Sequence, residues 1–321
     1  MSKCRFSVII PTYNAEKSIK KCLDSIIKQK NDGVEIICID DGSEDKTVFF
    51  IQNFYSGEVR LIAQSHLGVS ASRNRGIQES KGEYLLFCDA DDEYCDGVFD
   101  YISQNLDADV ILFGYDVVNH DERYRLEGIN FEDKVINSDI TQAFFNTKGV
   151  WPYVWHGVYK RDFLMANNIL FDEEMRLGED LCFQFHVFLR AKSVRFCSKA
   201  LYLYNHCLPE SSESIFLNDK IDRFVRQVGI LQKCVDLYDV CGREKDVDFY
   251  RFAFSFLYPD LLTFSKKEYR IISKEMRKFR DICIKNDSRI DGKTRIKFLL
   301  SGNFYSLHMY EIFRRKHENN V

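Results

Sequence analysis

The sequence predicts an α/β protein with a mainly parallel sheet, helices on both faces of the sheet and a helical C-terminal region. Short, continuous apolar runs recur through the first 120 residues, as in strands that are buried on both faces. Amphipathic segments with helical spacing separate these runs. The chain contains only 4 prolines. Together these features favour alternating strands and helices, the pattern of a parallel sheet.

The elements follow in order from this pattern. The run FSVIIP at 6–11 reads as the first strand, and the segment 16–29 repeats apolar residues at helical spacing. The next predicted strands cover 34–40, 59–65, 84–88 and 108–118. The next predicted helices cover 44–55, 69–80 and 96–106. Ser43 is the expected N-cap of the helix at 44–55.

The alternation fades after residue 120. RYRLEGINFEDKVI indicates an antiparallel excursion, and 151–168 is first aromatic and then helical. A helix is predicted at 178–191 and a late strand at 200–207. From about 216 the pattern is helical. We therefore expect an α/β domain over 1–215 and a helical region over 216–321.

Charge and cysteine content narrow the function classes. With a net charge of −4, the chain as a whole lacks the excess of positive charge that is typical of nucleic-acid-binding proteins. Residues 264–321 carry 15 Lys+Arg and 7 Asp+Glu, a net +8, so the rest carries −12. This basic region, with aromatic residues in 295–317, suits a membrane surface, although solvated helices or contact with a second subunit explain it too.

The N-terminus and the cysteines indicate a cytoplasmic location. The 11 cysteines form no C-x-x-C pair, and Cys38 and Cys88 fall in predicted strands, as core-filling reduced thiols do. The N-terminal apolar run is too short for a signal peptide, and the sequence has no run of about 18 apolar residues. The protein is thus expected in the cytoplasm or peripherally on the inner face of a membrane.

Polar clusters follow three of the predicted strands, at 11–14, 40–43 and 89–92. The carboxyl ends of parallel strands share one rim, where ligands bind. In the last cluster Asp89, Asp91 and Asp92 stand close together, and such like charges raise one another's pKa unless a cation relieves them. A solvated acidic turn is the alternative, but three clusters on one rim favour a site.

The motifs point to a nucleotide diphosphate. The sequence lacks G-x-G-x-x-G after the first strand, a P-loop, a G-x-S-x-G elbow and H-E-x-x-H. D-x-D after a strand suits Mn²⁺ or Mg²⁺, which takes one or two carboxylates together with phosphate oxygens. Arg73, within GVSASRNRG at 68–76, is expected to contact a phosphate or a base.

Five segments, in this order and at this spacing, resemble the family 2 glycosyltransferases. They are SVIIPTYN, IDDGS, GVSASRNRG, DADD and GEDLCF. The resemblance covers about residues 5–215. It implies a GT-A-type, Rossmann-like fold and an inverting transfer from a nucleotide-sugar, usually a UDP-sugar.

The resemblance also implies roles for single residues. The backbone of Pro11, Thr12, Tyr13 and Asn14 would cradle the nucleobase, with Tyr13 stacked on it. Asp41 would hydrogen-bond the uracil, and Asp89, followed by Ala90, would face the ribose and the sugar. Asp91, with Asp92 as second candidate, would bind the metal ion. Asp180 would be the catalytic base, since a carboxylate near the incoming hydroxyl can accept its proton; helix capping by Glu179 and Asp180 is the alternative.

The acceptor side is less sharply defined. Trp151 and Trp155 form either an acceptor platform or part of the core, and Glu179 lies beside the expected base. His206 falls where the family has a mobile loop over the diphosphate. The family often carries a Lys where this sequence has Gly157. Phe183, Phe185 and Phe188 are expected in the core.

The sequence thus predicts a metal-dependent inverting glycosyltransferase that extends a cell-surface polysaccharide, such as a capsule, or a glycolipid. Its partners would be a nucleotide-sugar donor and a saccharide or lipid-linked acceptor. Two alternatives are a sugar-nucleotide nucleotidyltransferase and an inactive carbohydrate- or nucleotide-binding protein. The first would need a basic phosphate loop after strand one, where PTYNAEKS stands instead.

Overall fold

The structure is a computed structural model that describes residues 4–119, 122–125, 131–147, 153–205, 219–245, 247–261 and 263–284. The chain divides into two compact units, Met1–Leu208 and Pro209–Val321, and each is described by itself.

Four parallel strands form one half of the sheet of the first unit. They are β1 (Phe6–Thr12), β2 (Val34–Asp40), β3 (Val59–Ala63) and β4 (Tyr84–Phe87). The helices between them are α1 (Ile19–Ile27), α2 (Thr47–Phe54) and α3 (Val69–Glu79). The strands lie in the order β3-β2-β1-β4. This half matches the expected parallel α/β arrangement.

The other half of the sheet is mixed. Its strands are β5 (Glu93–Tyr94), β6 (Val110–Asn119), β7 (Glu122–Tyr124), β8 (Lys134–Ile136), β9 (Gly157–Lys160) and β10 (Val194–Asn205). Its helices are α4 (Val98–Ser103), α5 (Ile140–Asn146), α6 (Arg161–Ala166) and α7 (Glu179–Arg190). The sheet continues from β4 through β9, β6 and β10 to β5.

The mainly parallel sheet also contains antiparallel strands. β9 runs antiparallel to both β4 and β6, whereas β6 and β10 pair in parallel. The sequence analysis did not identify β9 as a strand, because its four residues lie within an aromatic segment. The antiparallel excursion was expected, and β7 and β8 pair antiparallel with β6 and β10.

The core lies on both faces of the central strands. In β1, Val8, Ile9 and Ile10 are all fully buried. Cys38 in β2 and Cys88 after β4 are fully buried as well, which confirms that these thiols fill the core. Burial of one such side chain contributes about 1.5–3 kcal/mol, so the continuous apolar runs both form and stabilise the sheet.

A glycine brings α3 close to β1. A Cβ atom on Gly76 would lie 2.2 Å from Cγ2 of Ile9, so a side chain at position 76 would push the helix off the sheet. α3 carries Arg73 and Asn74, both buried. The close packing therefore fixes the distance from the sheet to the part of α3 that carries these two side chains.

The second unit is helical where it is described. Its helices are α8 (Lys220–Val240), α9 (Val247–Leu261) and α10 (Lys266–Ile284). Asp219 caps α8 by accepting hydrogen bonds from the N–H groups of Ile221 and Asp222. No helix of the described ranges is both long and apolar enough to cross a membrane. The aromatic and basic segment 295–317 lies outside the described residues.

Candidate functional site

The turns after β1 and β2 are joined by hydrogen bonds into one rim. The N–H of Asp41 donates to the carbonyl of Thr12 at 2.8 Å. The N–H of Asn14 donates to Oγ of Ser43 at 3.0 Å, and Oδ1 of Asn14 accepts from the N–H of Glu44 at 2.9 Å. The two polar clusters thus meet at the carboxyl ends of their strands, as the sequence predicted.

Ser43 serves this rim and does not cap α2, so its predicted role as an N-cap was wrong. Its hydroxyl donates to Oδ1 of Asp40 at 2.6 Å. Lys46 occupies the N-cap position of α2, and Oδ1 of Asp45 accepts from the N–H of Thr47 at 2.9 Å. The side chain of Asp45 thereby satisfies an N–H of the first turn, as a capping side chain does.

Asp41 fixes the loop that leads into α3. Its buried carboxylate accepts hydrogen bonds from Nε2 of Gln64 at 2.7 Å, from the N–H of Leu67 at 2.9 Å and from the N–H of Gly68 at 2.8 Å. Gly68 has a φ of 99°, a conformation that favours glycine. A carboxylate offers about four acceptor positions, so most of the capacity of Asp41 is used inside the protein.

Two exposed rings stand next to Asp41. The rings of Tyr13 and His66 have centroids 4.3 Å apart and planes inclined by 34°. Tyr13 is 47% exposed, and the side chain of His66 is 62% exposed. Nδ1 of His66 lies 3.1 Å from a carboxylate oxygen of Asp41. His66 was not predicted from the sequence, although an aromatic ring just before the first turn of α3 was a usable signal.

The two residues before Tyr13, at the end of β1, are less exposed than Tyr13. Thr12 is buried, and its hydroxyl donates to the carbonyl of Ile39 at 3.3 Å. Pro11 is half-buried. These two residues therefore offer a ligand mainly their backbone, whereas Tyr13 offers an open ring face.

The acidic cluster after β4 separates into residues with different surroundings. Asp92 is buried, and its carboxylate accepts from the hydroxyl of Tyr202 at 2.8 Å and from the N–H of Asn205 at 2.7 Å. Both oxygens of Asp92 are thus engaged with β10. Asp89, Ala90 and Asp91 are half-buried, so Asp91 has the better placed carboxylate for a metal ion.

The electrostatics of Asp91 favour a bound cation. Burial, and then the charge of Asp89, raise the pKa of Asp91 to about 6. In the part of the chain that the structure describes, no group of three or more His, Cys, Asp or Glu side chains is arranged to hold a metal ion. Mg²⁺ and Mn²⁺ commonly take one or two carboxylates and complete their shell with water and phosphate oxygens, so the oxygen donor at Asp91 fits such an ion.

The buried Arg73 is the centre of an ion-pair cluster. Its side chain is 4% exposed, and Nη2 lies 3.0 Å from Asp89. Nη1 lies 2.6 Å from Asp180 and 3.3 Å from Glu179. The sequence predicted a contact of Arg73 with a phosphate or a base, but the structure shows both terminal nitrogens facing carboxylates of the protein.

Phe171 and Asn74 hold Arg73 in place. The guanidinium carbon lies 5.3 Å from the centre of the Phe171 ring, which stacks on Phe183 with centroids 4.1 Å apart. Asn74 bonds both the N–H and the carbonyl of Phe171, each at 2.9 Å. The roles of Asn74 and Phe171 were not predicted from the sequence, because their contact joins residues 97 positions apart.

Asp180 lies at the N-terminus of α7 with Glu179, as predicted. Its side chain is 16% exposed. Burial raises the pKa of Asp180; the charge of Arg73 opposes this rise, while Glu179 and Asp89 add to it. Three carboxylates share one guanidinium here, so the cluster retains net negative charge. A carboxylate with a raised pKa near an open rim is suited to accept a proton.

Trp155 belongs to the core and is not exposed to an acceptor. It is 1% exposed and stacks on Tyr202, with ring centroids 4.4 Å apart and planes 7° apart. Of the two interpretations of this residue, the structure shows the core. Phe183, Phe185 and Phe188 are also buried, as expected. Trp151 and His206 lie outside the described residues.

The surroundings of Gly157 explain why this position does not carry the Lys that is common in the family. A Cβ atom on Gly157 would lie 2.3 Å from the hydroxyl oxygen of Tyr159. That hydroxyl donates to the carbonyl of Val154 at 3.1 Å. The space that a Lys would need at position 157 is therefore filled by the ring of Tyr159.

Comparison with known proteins agrees with the resemblance in sequence. Residues 7–164 match the model of glycosyl transferase family 2. The uncharacterized glycosyltransferase EpsJ of Bacillus subtilis is 30% identical over 207 residues, which is 62% of this chain and 60% of EpsJ. The uncharacterized glycosyltransferase YibD of Escherichia coli is 32% identical over 216 residues, 62% of this chain and 61% of YibD. The matches thus span about three fifths of these relatives.

Crystal structures of Staphylococcus aureus TarS 1-349 share the fold. One superposes with a TM-score of 0.74 at 21% identity and covers 98% of this chain and 92% of that chain. The complex of TarS 1-349 with UDP-GlcNAc gives a TM-score of 0.77 at 22% identity, with the same coverage. Residues 7–164 of this chain are therefore similar to glycosyl transferase family 2, and the chain has the GT-A fold of these structures.

Proposed function

We propose that this protein is a metal-dependent inverting glycosyltransferase that moves a sugar from a UDP-sugar to a hydroxyl group of a saccharide or lipid-linked acceptor. One observation carries the proposal: Arg73 contacts both Asp89 in the D-x-D cluster and Asp180 at the start of α7. A group suited to the donor and a group suited to proton removal therefore belong to one cluster.

The donor side is built for a nucleoside diphosphate. The exposed rings of Tyr13 and His66 offer a stacking surface for a base, and Asp41 lies directly beside them. Asp89 would face the ribose and the sugar, and the half-buried Asp91 would hold a divalent ion. Such an ion, when bound, neutralises charge on the diphosphate leaving group. The complexes of the structural neighbour TarS with UDP and UDP-GlcNAc support a uridine nucleotide as donor.

Asp180 acts as the general base. Its carboxylate accepts the proton of the acceptor hydroxyl as that oxygen attacks the sugar carbon from the face opposite the diphosphate. The raised pKa of Asp180 strengthens it as a base, and Arg73 holds one of its oxygens. Glu179, which also contacts Arg73, would orient the acceptor.

The acceptor belongs to cell-surface polymer or glycolipid synthesis on the cytoplasmic side of a membrane. The matches include a poly(ribitol-phosphate) beta-glucosyltransferase of Bacillus spizizenii, 28% identical over 216 residues, 62% of this chain and 32% of that protein. That name supports a surface polymer as acceptor.

Contact with the membrane comes from the C-terminal region. α10 exposes Lys267, Arg270, Lys274 and Arg277, which lie at helical spacing along one face. A juxtamembrane Lys or Arg contributes about 1 kcal/mol to binding an anionic bilayer. K267E/K274E should reduce cosedimentation with phosphatidylglycerol vesicles, and the matched variant K81E/K192E in the first unit should not. Equal cosedimentation of both variants would argue against this surface.

Thermal stability with nucleotides tests the donor side. UDP, GDP, CDP and dTDP are each added with Mn²⁺ and with EDTA, and the melting temperature is recorded. A ligand at a hundredfold excess over its Kd stabilises a fold by about 2.7 kcal/mol. We expect a metal-dependent rise with UDP only. A rise with another nucleotide alone would overturn the UDP assignment.

Turnover tests the base. UDP release is measured with UDP-GlcNAc, UDP-glucose and UDP-galactose, with water or added saccharides as acceptor. Asp180→Asn should abolish release and leave the affinity for UDP nearly unchanged, because Asn keeps the shape of Asp but cannot accept a proton. Release at the wild-type rate would show that Asp180 is not the base.

A further inference from the structure

Arg73 connects two parts of the rim that come from distant elements. Asp89 follows β4, whereas Glu179 and Asp180 open α7. Nη2 of Arg73 faces the first of these regions and Nη1 the second. The planar guanidinium can satisfy two separate acceptors at fixed angles, which the single ammonium of Lys cannot do.

The cation of the cluster is buried, whereas its three carboxylate side chains remain 15–29% exposed. Burial lowers the pKa of Arg73, but Asp180, Asp89 and Glu179 outweigh it and hold the pKa above its usual value. Nε of Arg73 is buried without a hydrogen-bond partner. The side chain therefore forgoes one hydrogen bond in a pose that brings both terminal nitrogens to carboxylates.

The support behind the guanidinium is rigid. The Phe171 ring lies against it at 5.3 Å and stacks in turn on the buried Phe183. Asn74, one residue after Arg73 on α3, holds the backbone of Phe171 on both sides. Helix α3 thus positions the cation and also the ring on which the cation rests.

We propose that Arg73 is a positioning residue of the sugar transfer, which ties Asp180 to the donor-side carboxylate Asp89 and so sets where the base lies relative to the donor. This inference rests on the proposed function. It differs from the sequence-based expectation that Arg73 contacts the nucleotide itself, and the two readings predict different kinetic effects.

The test separates nucleotide affinity from turnover in the variant Arg73→Lys. This change keeps the charge but removes the second terminal nitrogen. Misplacement of a reacting group by about 1 Å can cost about 10²-fold in rate. We therefore expect kcat for UDP release to fall by about that factor, while the Kd for UDP stays within about threefold. The matched control is Arg75→Lys on the same helix; Arg75 pairs with Glu79 on the exposed side, and its substitution should change neither quantity.

Opposite results overturn the proposal. A weaker Kd for UDP with kcat unchanged would mean that Arg73 contacts the donor. Wild-type values for both would mean that it has no part in the reaction. If Arg73→Lys does not fold, Phe171→Leu replaces it, since this change removes the ring but keeps every charge. It should lower kcat several-fold at constant UDP affinity, and an unchanged kcat would contradict the proposal.

A failure of this inference can be distinguished from a failure of the proposed function. If Asp180→Asn keeps full turnover, the assignment of the base fails whatever Arg73 does. If Asp180→Asn is inactive while Arg73→Lys is normal, only the positioning role fails. In the double variant the loss should be no greater than in Asp180→Asn alone, because both changes act through the same carboxylate.

Discussion

The ring of Tyr202 stacks on Trp155 at 4.4 Å, and the hydroxyl of the same Tyr202 donates to Asp92 at 2.8 Å. That hydroxyl also accepts from the N–H of Asp89 at 3.1 Å. One side chain therefore joins the aromatic core to the acidic turn after β4. The position of the turn that carries Asp89 and Asp91 depends on a residue of β10.

Removal of this hydroxyl should loosen the turn. In Tyr202→Phe the stack remains, but the buried Asp92 loses its O–H donor and the N–H of Asp89 loses its acceptor. An unsatisfied buried polar group costs about 1–3 kcal/mol. We expect urea unfolding to show a loss of this size and a weaker Kd for UDP with Mn²⁺. Tyr124→Phe, on an exposed residue, is the control, and an equal effect of both changes would contradict this role.

Gly157 should tolerate no side chain while Tyr159 is present. A Cβ atom in Gly157→Ala would lie 2.3 Å from the hydroxyl oxygen of Tyr159 and 2.5 to 2.8 Å from its ring, and overpacking of this kind costs about 1–3 kcal/mol. Gly57→Ala is the matched control, because a Cβ there meets nothing within 4 Å. The melting temperature should fall for the first variant only. Addition of Tyr159→Leu should recover part of the loss caused by Gly157→Ala.

His186 should make the protein sensitive to acid. Burial, and then the charge of Arg190, lower the pKa of His186 to about 4, against about 6.5 in the unfolded chain. Between these values the unfolded state binds the extra proton, so the contribution of His186 to stability is full above pH 6.5 and is lost as the pH falls. From pH 7 to pH 5 this loss is about 2 kcal/mol. Between pH 7 and pH 5 the free energy of unfolding of His186→Leu should therefore fall by about 2 kcal/mol less than that of the wild type. An equal fall in both proteins would contradict the prediction.

Asp91 should favour metal binding at a cost in stability. Its pKa of about 6 lies above that of an Asp in the unfolded chain, so ionisation of Asp91 destabilises the fold, and this cost is complete above pH 6. Asp91→Asn should therefore raise the melting temperature at pH 7 in EDTA and abolish the additional rise that Mn²⁺ gives with UDP. Glu132→Gln, on an exposed side chain, should do neither. A lower melting temperature of Asp91→Asn in EDTA would show that the carboxylate is structural.

The local sequence pattern was sufficient to predict the strands of the parallel half of the sheet. It was not sufficient to predict all of those of the mixed half. β2 spans Val34–Asp40, as predicted, because a continuous apolar run bounded by turn residues allows little else. β9 was missed, because its four residues form a strand only through pairing with β4 and β6. Propensity carries no information about such distant pairs.

The site shows the same division. The rule that ligands bind at the carboxyl ends of strands located Tyr13, Asp41 and the acidic cluster. The difference between Asp91 and Asp92 comes from Tyr202, 110 positions away from Asp92. Likewise, Trp155 could be placed in the core only once the strand that supplies Tyr202 was known. Residue type predicted the chemistry of the rim, and contacts between distant elements decided which residue can perform it.

The insertion of β9 between β4 and β6 has a consequence for synthesis of the protein. The apolar strand β4, Tyr84–Phe87, is buried throughout, yet one of its edges stays unpaired until Gly157–Lys160 has left the ribosome. A bare apolar strand edge is a template for aggregation. The nascent chain thus passes through a vulnerable interval that ends with β9, and fragments that stop before this strand should be insoluble even though they contain the whole parallel half.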